Sequence, residues 1–320
     1  MQPRHPLLVQ AFSLSKAGRN PEAVLLINQL AAQNEPEALF VLAEMKWRGG
    51  MVPQDPAQAR ELYRRAASLG HAQAAITFTN LLGNGVAGER DWPQALARLR
   101  AEAKQHPVRR LQLELIGKME LDEAGSPRSL PDAQVLSTEP SVALFPGLFS
   151  AGECDYLRQL AEPGYQPSVI YDAQRRIQRD PMRTSDGSTI HWQIEDPLVH
   201  ALNRRLAAAS GTDAVQGEAM QILRYRAGQQ YRNHYDFVQS SDNQRFQTVL
   251  VYLNHDYQGG ETCFVKTGLK VKGKKGDALV FRSALPDRRL DPLSEHAGLP
   301  VSSGTKLLAS RWIREKRWAP

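Results

Sequence analysis

At 320 residues with 42% hydrophobic content, the chain is long enough for two domains that each bury a core, and it has no apolar run long enough to span a bilayer. Only two cysteines, Cys154 and Cys263, exclude a disulfide-stapled framework and point to a reducing, cytoplasmic compartment. The formal net charge of +6 allows non-specific attraction to polyanions, but many of the basic residues fall in sequence expected to form loops and no recognised nucleic-acid-binding fold accompanies them.

The stretch MQPRHPLLVQAFSLSKAG carries only a short, broken apolar run and is not expected to be a secretion signal. From there to about residue 120 the sequence is rich in Ala and Leu, with apolar residues at helical spacing. It also repeats. Aligning residues 37–71 with 72–106 pairs Ala38 with Ala74, Leu42 with Phe78, Asp55 with Asp91 and Ala59 with Ala95, each 36 apart. Gly50 pairs with Gly85 and His71 with His106 at 35, and a degenerate earlier copy includes Ala23. Small residues at fixed offsets and a period in the mid-thirties are the pattern of a helix–turn–helix solenoid.

Residues 121–134, collecting Gly, Pro, Ser and acidic side chains without periodicity, are expected to be a linker. Beyond it, VALF reads as a strand, and Ser150 with Glu153 as a capping box opening a helix over Ala151–Ala161. The segment Gln221–Phe237 predicts a hairpin turning at Ala227-Gly228. Short strands with glycine punctuation follow, around Thr248–Asn254, Glu261–Val265, Gly276–Phe281 and Lys306–Ile313, and together they predict a β-rich barrel or sandwich.

Chemistry concentrates in His234-Tyr235-Asp236, His296 and Lys306. Residues two apart on a strand face the same way, so His234 and Asp236 can grip one metal ion. A second imidazole from His296 completes a set that leaves three octahedral positions open, which suits non-haem Fe(II). On the last strand Lys306, Leu308, Ser310 and Trp312 share a face, so the Lys306 ammonium can point inward, where its burial calls for an incoming anion.

From about Ser141 onward the chain resembles the Fe(II)- and 2-oxoglutarate-dependent dioxygenases of the prolyl 4-hydroxylase-like group. The resemblance is carried by VALFPGLFSAGECDYLRQLAE, RTSDG, LRYRAGQQYRNHYDF, YQGGETCF, KKGDALVF and the His296/Lys306 segment. The upstream repeats, with a glycine-rich turn followed by Asp, Ala and AAxxGH, resemble Sel1-like repeats, relatives of the tetratricopeptide class. The expected fold class is therefore α+β: a Sel1-like α-helical solenoid (1–120), a linker (121–134) and a double-stranded β-helix, or jelly-roll, oxygenase domain (135–320).

This resemblance implies that His234, Asp236 and His296 are the Fe(II) ligands and that Lys306 holds the far carboxylate of 2-oxoglutarate. It further implies that Tyr225 and Trp312 line the co-substrate pocket and that Arg183, within RTSDG, lies near the substrate. Thr248 could belong to the same set and is not assigned a role. The implied reaction is hydroxylation of a polypeptide at proline, as in a procollagen-proline dioxygenase, with succinate and CO2 as co-products and ascorbate as reductant. The repeats would recruit the polypeptide, while neither a membrane nor nucleic acid is an expected partner. Ser188–Pro197, STIHWQIEDP, departs from the typical members of the group and leaves substrate identity open. Two alternatives remain: hydroxylation of a free amino acid or small metabolite, and a repeat-based scaffold whose barrel does not turn over.

Overall fold

The computed structural model describes residues 5–171, 177–239 and 241–318. Arg175 and Arg176, two of the basic residues that contribute to the net charge, lie outside them. Among the described residues no helix is long and apolar enough to cross a membrane. The chain divides into two compact units, one made of the residues up to Leu113 together with Trp192–Pro197, the other of Glu114–His191 and Leu198–Ala319.

The first unit is built from helices α1 (Pro6–Lys16), α2 (Asn20–Ala32), α3 (Pro36–Arg48), α4 (Pro56–Ser68), α5 (Ala72–Asn84) and α6 (Trp92–Glu102), with α7 (Pro107–Ile116) running across its end. Proline in the first turn of five of the first six helices pre-sets the backbone where an N–H partner is not needed. The period seen in the sequence recurs in the hydrogen bonds. Asp55 caps α4 by accepting from the Gln58 N–H at 2.9 Å, and Asp91 caps α6 by accepting from Gln94 at 2.9 Å. Their own N–H groups donate to the carbonyls of Lys46 and Leu82 respectively. The repeated alanines Ala38, Ala59, Ala74 and Ala95 are all fully buried, where a larger side chain would hold the paired helices apart.

One pairing differs from the sequence alignment. Gly49, not Gly50, is the counterpart of Gly85: both end their helices (α3 and α5) at positive φ, +74° and +69°. A Cβ on Gly49 would come within 3.1 Å of Gln54 Cβ, and one on Gly85 within 2.8 Å of Arg90 Cβ, the equivalent position. The turn's conformation, rather than proximity in an ungapped alignment, selects which of two adjacent glycines carries the repeat.

In the second unit an eight-stranded antiparallel sheet runs, in spatial order, through Gln134–Thr138, Ser141–Phe145, Ala278–Arg282, Arg245–Tyr252, Thr305–Arg314, Gln221–Arg226, Asp186–Thr189 and Gln166–Pro167. A four-stranded sheet, Lys270–Val271, Thr262–Phe264, His296–Gly298 and Tyr231–His234, packs against it, with Phe264 edge-on to Phe281 at 5.2 Å. This is the double-stranded β-helix arrangement. The helix Ala151–Ala161 opens with the expected Ser150/Glu153 capping box. Glu153 also accepts from Arg205 at 2.9 Å, which ties this helix to Pro197–Ser210.

The expected hairpin over Gln221–Phe237 does not form. Its two strands, Gln221–Arg226 and Tyr231–His234, enter different sheets: the first pairs with Thr305–Arg314, the second with His296–Gly298. Two strands joined by a tight turn can hydrogen-bond to each other or to partners far along the chain, and here the jelly-roll closure supplies the distant partners.

Candidate metal and co-substrate site

The Tyr231–His234 strand is the outer strand of the smaller sheet, and His234 stands directly opposite His296 in its register. Between these strands, Tyr231 to His234 spans three residues while the facing Gly298 to His296 spans two, so the ladder shifts there. This bulge rotates Tyr231 and His234 onto one side, where their rings stack at 3.5 Å. His296 is fixed from the opposite side by Phe281, edge-on at 4.7 Å.

Asp236 lies just beyond the end of the strand rather than within it. The same-face argument of a continuous strand therefore does not place it. A hydrogen bond does: Thr248 Oγ1, on the neighbouring strand Arg245–Tyr252, donates to Asp236 Oδ2 at 2.6 Å. Asp236 Oδ1 is 3.8 Å from His234 Nε2, Asp236 Oδ2 is 3.6 Å from His296 Nε2, and one donor atom from each residue lies within 4.8 Å of the others. These three form the group among the described residues able to hold a metal.

Both histidines are oriented by backbone. His234 Nδ1 meets the Arg232 carbonyl at 2.7 Å and His296 Nδ1 the Ser294 carbonyl at 2.9 Å, so each Nδ1 donates to backbone and each Nε2 faces Asp236. Burial first, and then the neighbouring His296, push His234 down to about 4, which keeps its ring in the neutral form a metal requires. Burial works against the Asp236 charge. The positive charge that the His296 and His234 rings can carry, the Thr248 hydroxyl and the Trp312 indole together outweigh it and hold the carboxyl below its ordinary range.

Lys306 opens onto the same cavity as the triad, together with Tyr225, Tyr231, Leu308, Ser310 and Trp312. It pairs with Tyr225 across the larger sheet, is 2% exposed, and donates to the Gly260 carbonyl at 2.7 Å. The ammonium also sits over the rings of Tyr225 (5.5 Å) and Tyr252 (5.8 Å). No ion pair meets it among the described residues, and burial pulls it down to about 8 despite the charge of Glu261. Tyr225, whose hydroxyl burial pushes up to about 12, remains a neutral donor.

Trp312 stands opposite Thr248 in the sheet, and its buried indole N–H meets no acceptor at full hydrogen-bond geometry, although it helps to hold the Asp236 carboxyl ionised. Arg183 stands at the rim. It bridges to Tyr231 on the edge of the smaller sheet, its guanidinium lies 5.5 Å over that ring, and its Nε donates to Ser168 Oγ at 3.0 Å. All seven residues singled out in the sequence thus lie in or beside one cavity. Tyr231 is not legible in the sequence as a site residue, because three-residue spacing on a regular strand places it on the opposite face from His234.

The residues present fit Fe(II) and 2-oxoglutarate. Two imidazoles that turn Nε2 toward a charged carboxylate match a ferrous ion that keeps open positions, and a buried ammonium without a carboxylate partner among the described residues matches the distal end of a dicarboxylate. The 2OG-Fe(II) oxygenase superfamily model matches residues 220–314, and the Sel1 repeat model matches residues 36–71. The chain is 35% identical over 205 residues to probable prolyl 4-hydroxylase 3 of Arabidopsis thaliana, covering 56% of this chain and 71% of that one. It is 35% identical over 204 residues to prolyl 4-hydroxylase 1 of the same plant, covering 57% and 72%. A solved structure of the viral collagen prolyl hydroxylase from Paramecium Bursaria Chlorella virus-1, in complex with 2OG, is similar at 31% identity and a TM-score of 0.45, over 54% of this chain and 95% of that one. The chain therefore belongs to the prolyl 4-hydroxylase-like group of the 2OG-Fe(II) oxygenases, and is a 2-oxoglutarate-dependent dioxygenase that also carries a Sel1 repeat.

Proposed function

We propose that this dioxygenase hydroxylates prolyl residues of a polypeptide. The observation that carries the reading is the convergence of the His234/Asp236/His296 donors and the Lys306 ammonium on one cavity. His234, Asp236 and His296 would hold Fe(II), Lys306 would hold the far carboxylate of 2-oxoglutarate through a charge-assisted hydrogen bond, and Tyr225 would flank it. When bound, Fe(II) and 2-oxoglutarate would supply the oxidising chemistry with dioxygen as oxidant, one oxygen atom going to the prolyl C–H and the other to the succinate formed as 2-oxoglutarate loses CO2. The protein's part is positioning and the exclusion of water: Leu223, Leu250 and Leu308 line the cavity with apolar surface. None of its side chains need act as nucleophile or general acid.

Two observations support a polypeptide over a small metabolite. The relatives above are named for prolyl hydroxylation. The Arg183 guanidinium and Tyr231 ring form a stacked, partly open edge to the site, which suits an extended chain passing over it. Ascorbate would serve as reductant, and the cytoplasm is the compartment proposed from the cysteine content.

The test is anaerobic loading with Fe(II) and 2-oxoglutarate, followed by oxygen, with succinate release and a gain of one oxygen on proline-containing peptides as readouts. His234→Ala and Asp236→Ala should abolish both. Normal turnover by either variant would remove the ligand assignment, and oxygen appearing only on residues other than proline would remove the prolyl reading.

A further inference from the structure

Within the first unit, helices α3, α4 and α5 carry a set of polar side chains aimed at the segment Trp192–Pro197. Asn80 Nδ2 donates to the Gln193 carbonyl at 2.8 Å. One helical turn on, Asn84 Nδ2 donates to the Trp192 carbonyl at 2.8 Å and lies 3.4 Å from that of Glu195. The Gln193 side chain itself donates to Glu44 Oε1 at 3.0 Å and to the Tyr63 hydroxyl at 2.7 Å.

Both asparagines are pre-set as donors. Asn80 Oδ1 is taken by Arg109, whose Nη1 and Nη2 each donate to it at 3.0 Å, and Arg109 is itself buried in an ion pair with Glu102 at 2.9 Å. Asn84 Oδ1 is taken by the Val86 N–H at 3.0 Å. With each acceptor end occupied, the amide NH2 of each residue has one orientation, pointing at the segment. Asn80 and Asn84 are nearly fully buried, at 3% and 6% exposure, where an unpaired NH2 would be costly. Glu44 and Asn80 are 36 apart and so hold the same place in successive repeats. Both read Gln193, one through its side chain and the other through its backbone.

We propose that this face of α3–α5 is a polypeptide-binding surface whose occupant is the chain's own Trp192–Glu195. It recognises two or three main-chain carbonyls, which any sequence offers, and one glutamine amide, which selects the register. The function assigned to the repeats is thus to hold an internal segment, in place of recruiting a polypeptide from outside. It also gives a role to WQIE, which lies within the Ser188–Pro197 stretch that departs from the family pattern. The proposal does not depend on the reaction proposed above.

Hydrogen–deuterium exchange of the full-length chain, read by mass spectrometry, tests it without any activity measurement. Gln193→Glu sets a carboxylate against Glu44 and should speed exchange across residues 191–197 by about tenfold or more, while α3–α5 keep their protection. Adding Glu44→Gln to that variant exchanges donor and acceptor and should restore the slow exchange. Asn84→Asp, which keeps the shape and loses the donor, should loosen the same segment. Unchanged exchange in Gln193→Glu would overturn the proposal, as would failure of the swapped pair to restore it. Should Asn84→Asp disturb α5 itself, the Gln193 pair, which leaves α5 intact, still decides.

Discussion

Thr248 and Asp236 are joined by a 2.6 Å hydrogen bond from hydroxyl to carboxylate, and through it a strand of the larger sheet sets the position of a candidate metal ligand belonging to neither sheet. The hydroxyl lies in a fully buried setting and occupies one oxygen of the carboxylate. Thr248→Val keeps the shape and deletes the donor, so ferrous-ion affinity should fall about 10-fold or more, as for other outer partners of metal ligands. Thr248→Ser should retain most of it. Anaerobic metal titration compares the three proteins, and equal affinities would show that Asp236 is held in place without Thr248.

Lys306→Met removes a buried ammonium and leaves the triad intact. The expected result is a 2-oxoglutarate KM raised by at least about 10-fold, with metal binding unchanged. An unchanged KM would mean that the co-substrate's far carboxylate lies elsewhere.

The same residue sets a pH dependence. Its folded-state pKa is lowered by burial from 10.5 to about 8, so between those values the folded protein binds fewer protons than the unfolded chain. Lys306 therefore opposes folding fully below about 8, and this cost fades as pH rises toward 10.5. The stability difference between Lys306→Met and the parent, measured by urea unfolding, should shrink over that range. Conversely, 2-oxoglutarate binding needs the ammonium and should weaken as pH passes above about 8, with a bound anion moving the decline upward. Binding that strengthens with pH would contradict this account.

Arg183 lies over Tyr231, which in turn stacks on His234. Arg183→Ala should raise the KM for a proline-containing peptide by roughly 10-fold while leaving the 2-oxoglutarate KM in place, because the lost contact is at the rim. Steady-state kinetics with each substrate varied separates the two. A rise only in the 2-oxoglutarate KM would place Arg183 on the co-substrate side.

Gly276 has φ +93°, and a Cβ there would fall 2.0 Å from the Phe149 carbonyl oxygen, which is backbone and cannot swing aside. Gly276→Ala should cost about 3 kcal/mol or more, read as a lowered Tm. The turn also binds Gly147 and Phe149 through Asp277 and the Gly276 carbonyl, so the loss should be cooperative for the whole sheet-rich unit.

The repeat period, the capping residues, the Ser150/Glu153 box and the alternation of Lys306, Leu308, Ser310 and Trp312 were legible because each depends on residues near one another in sequence, and local geometry converts spacing into direction. The hairpin expectation failed for a complementary reason. A turn and two apolar runs specify that the chain reverses, but not which distant strands complete the ladders of Gln221–Arg226 and Tyr231–His234. Gly49 was hidden by its neighbour Gly50, since only the helix end distinguishes them.

Sequence alone determined the candidates: the three metal donors and the lysine are picked out by residue type and spacing, and the repeat by its period. Tertiary structure decided how they are aimed. A one-residue bulge stacks Tyr231 on His234, a hydroxyl from another strand places Asp236, and Arg109 turns the Asn80 amide toward Gln193. These are contacts between residues remote in sequence, whose orientation depends on register and hydrogen-bond competition across the folded chain, and neither is encoded in the spacing along one segment.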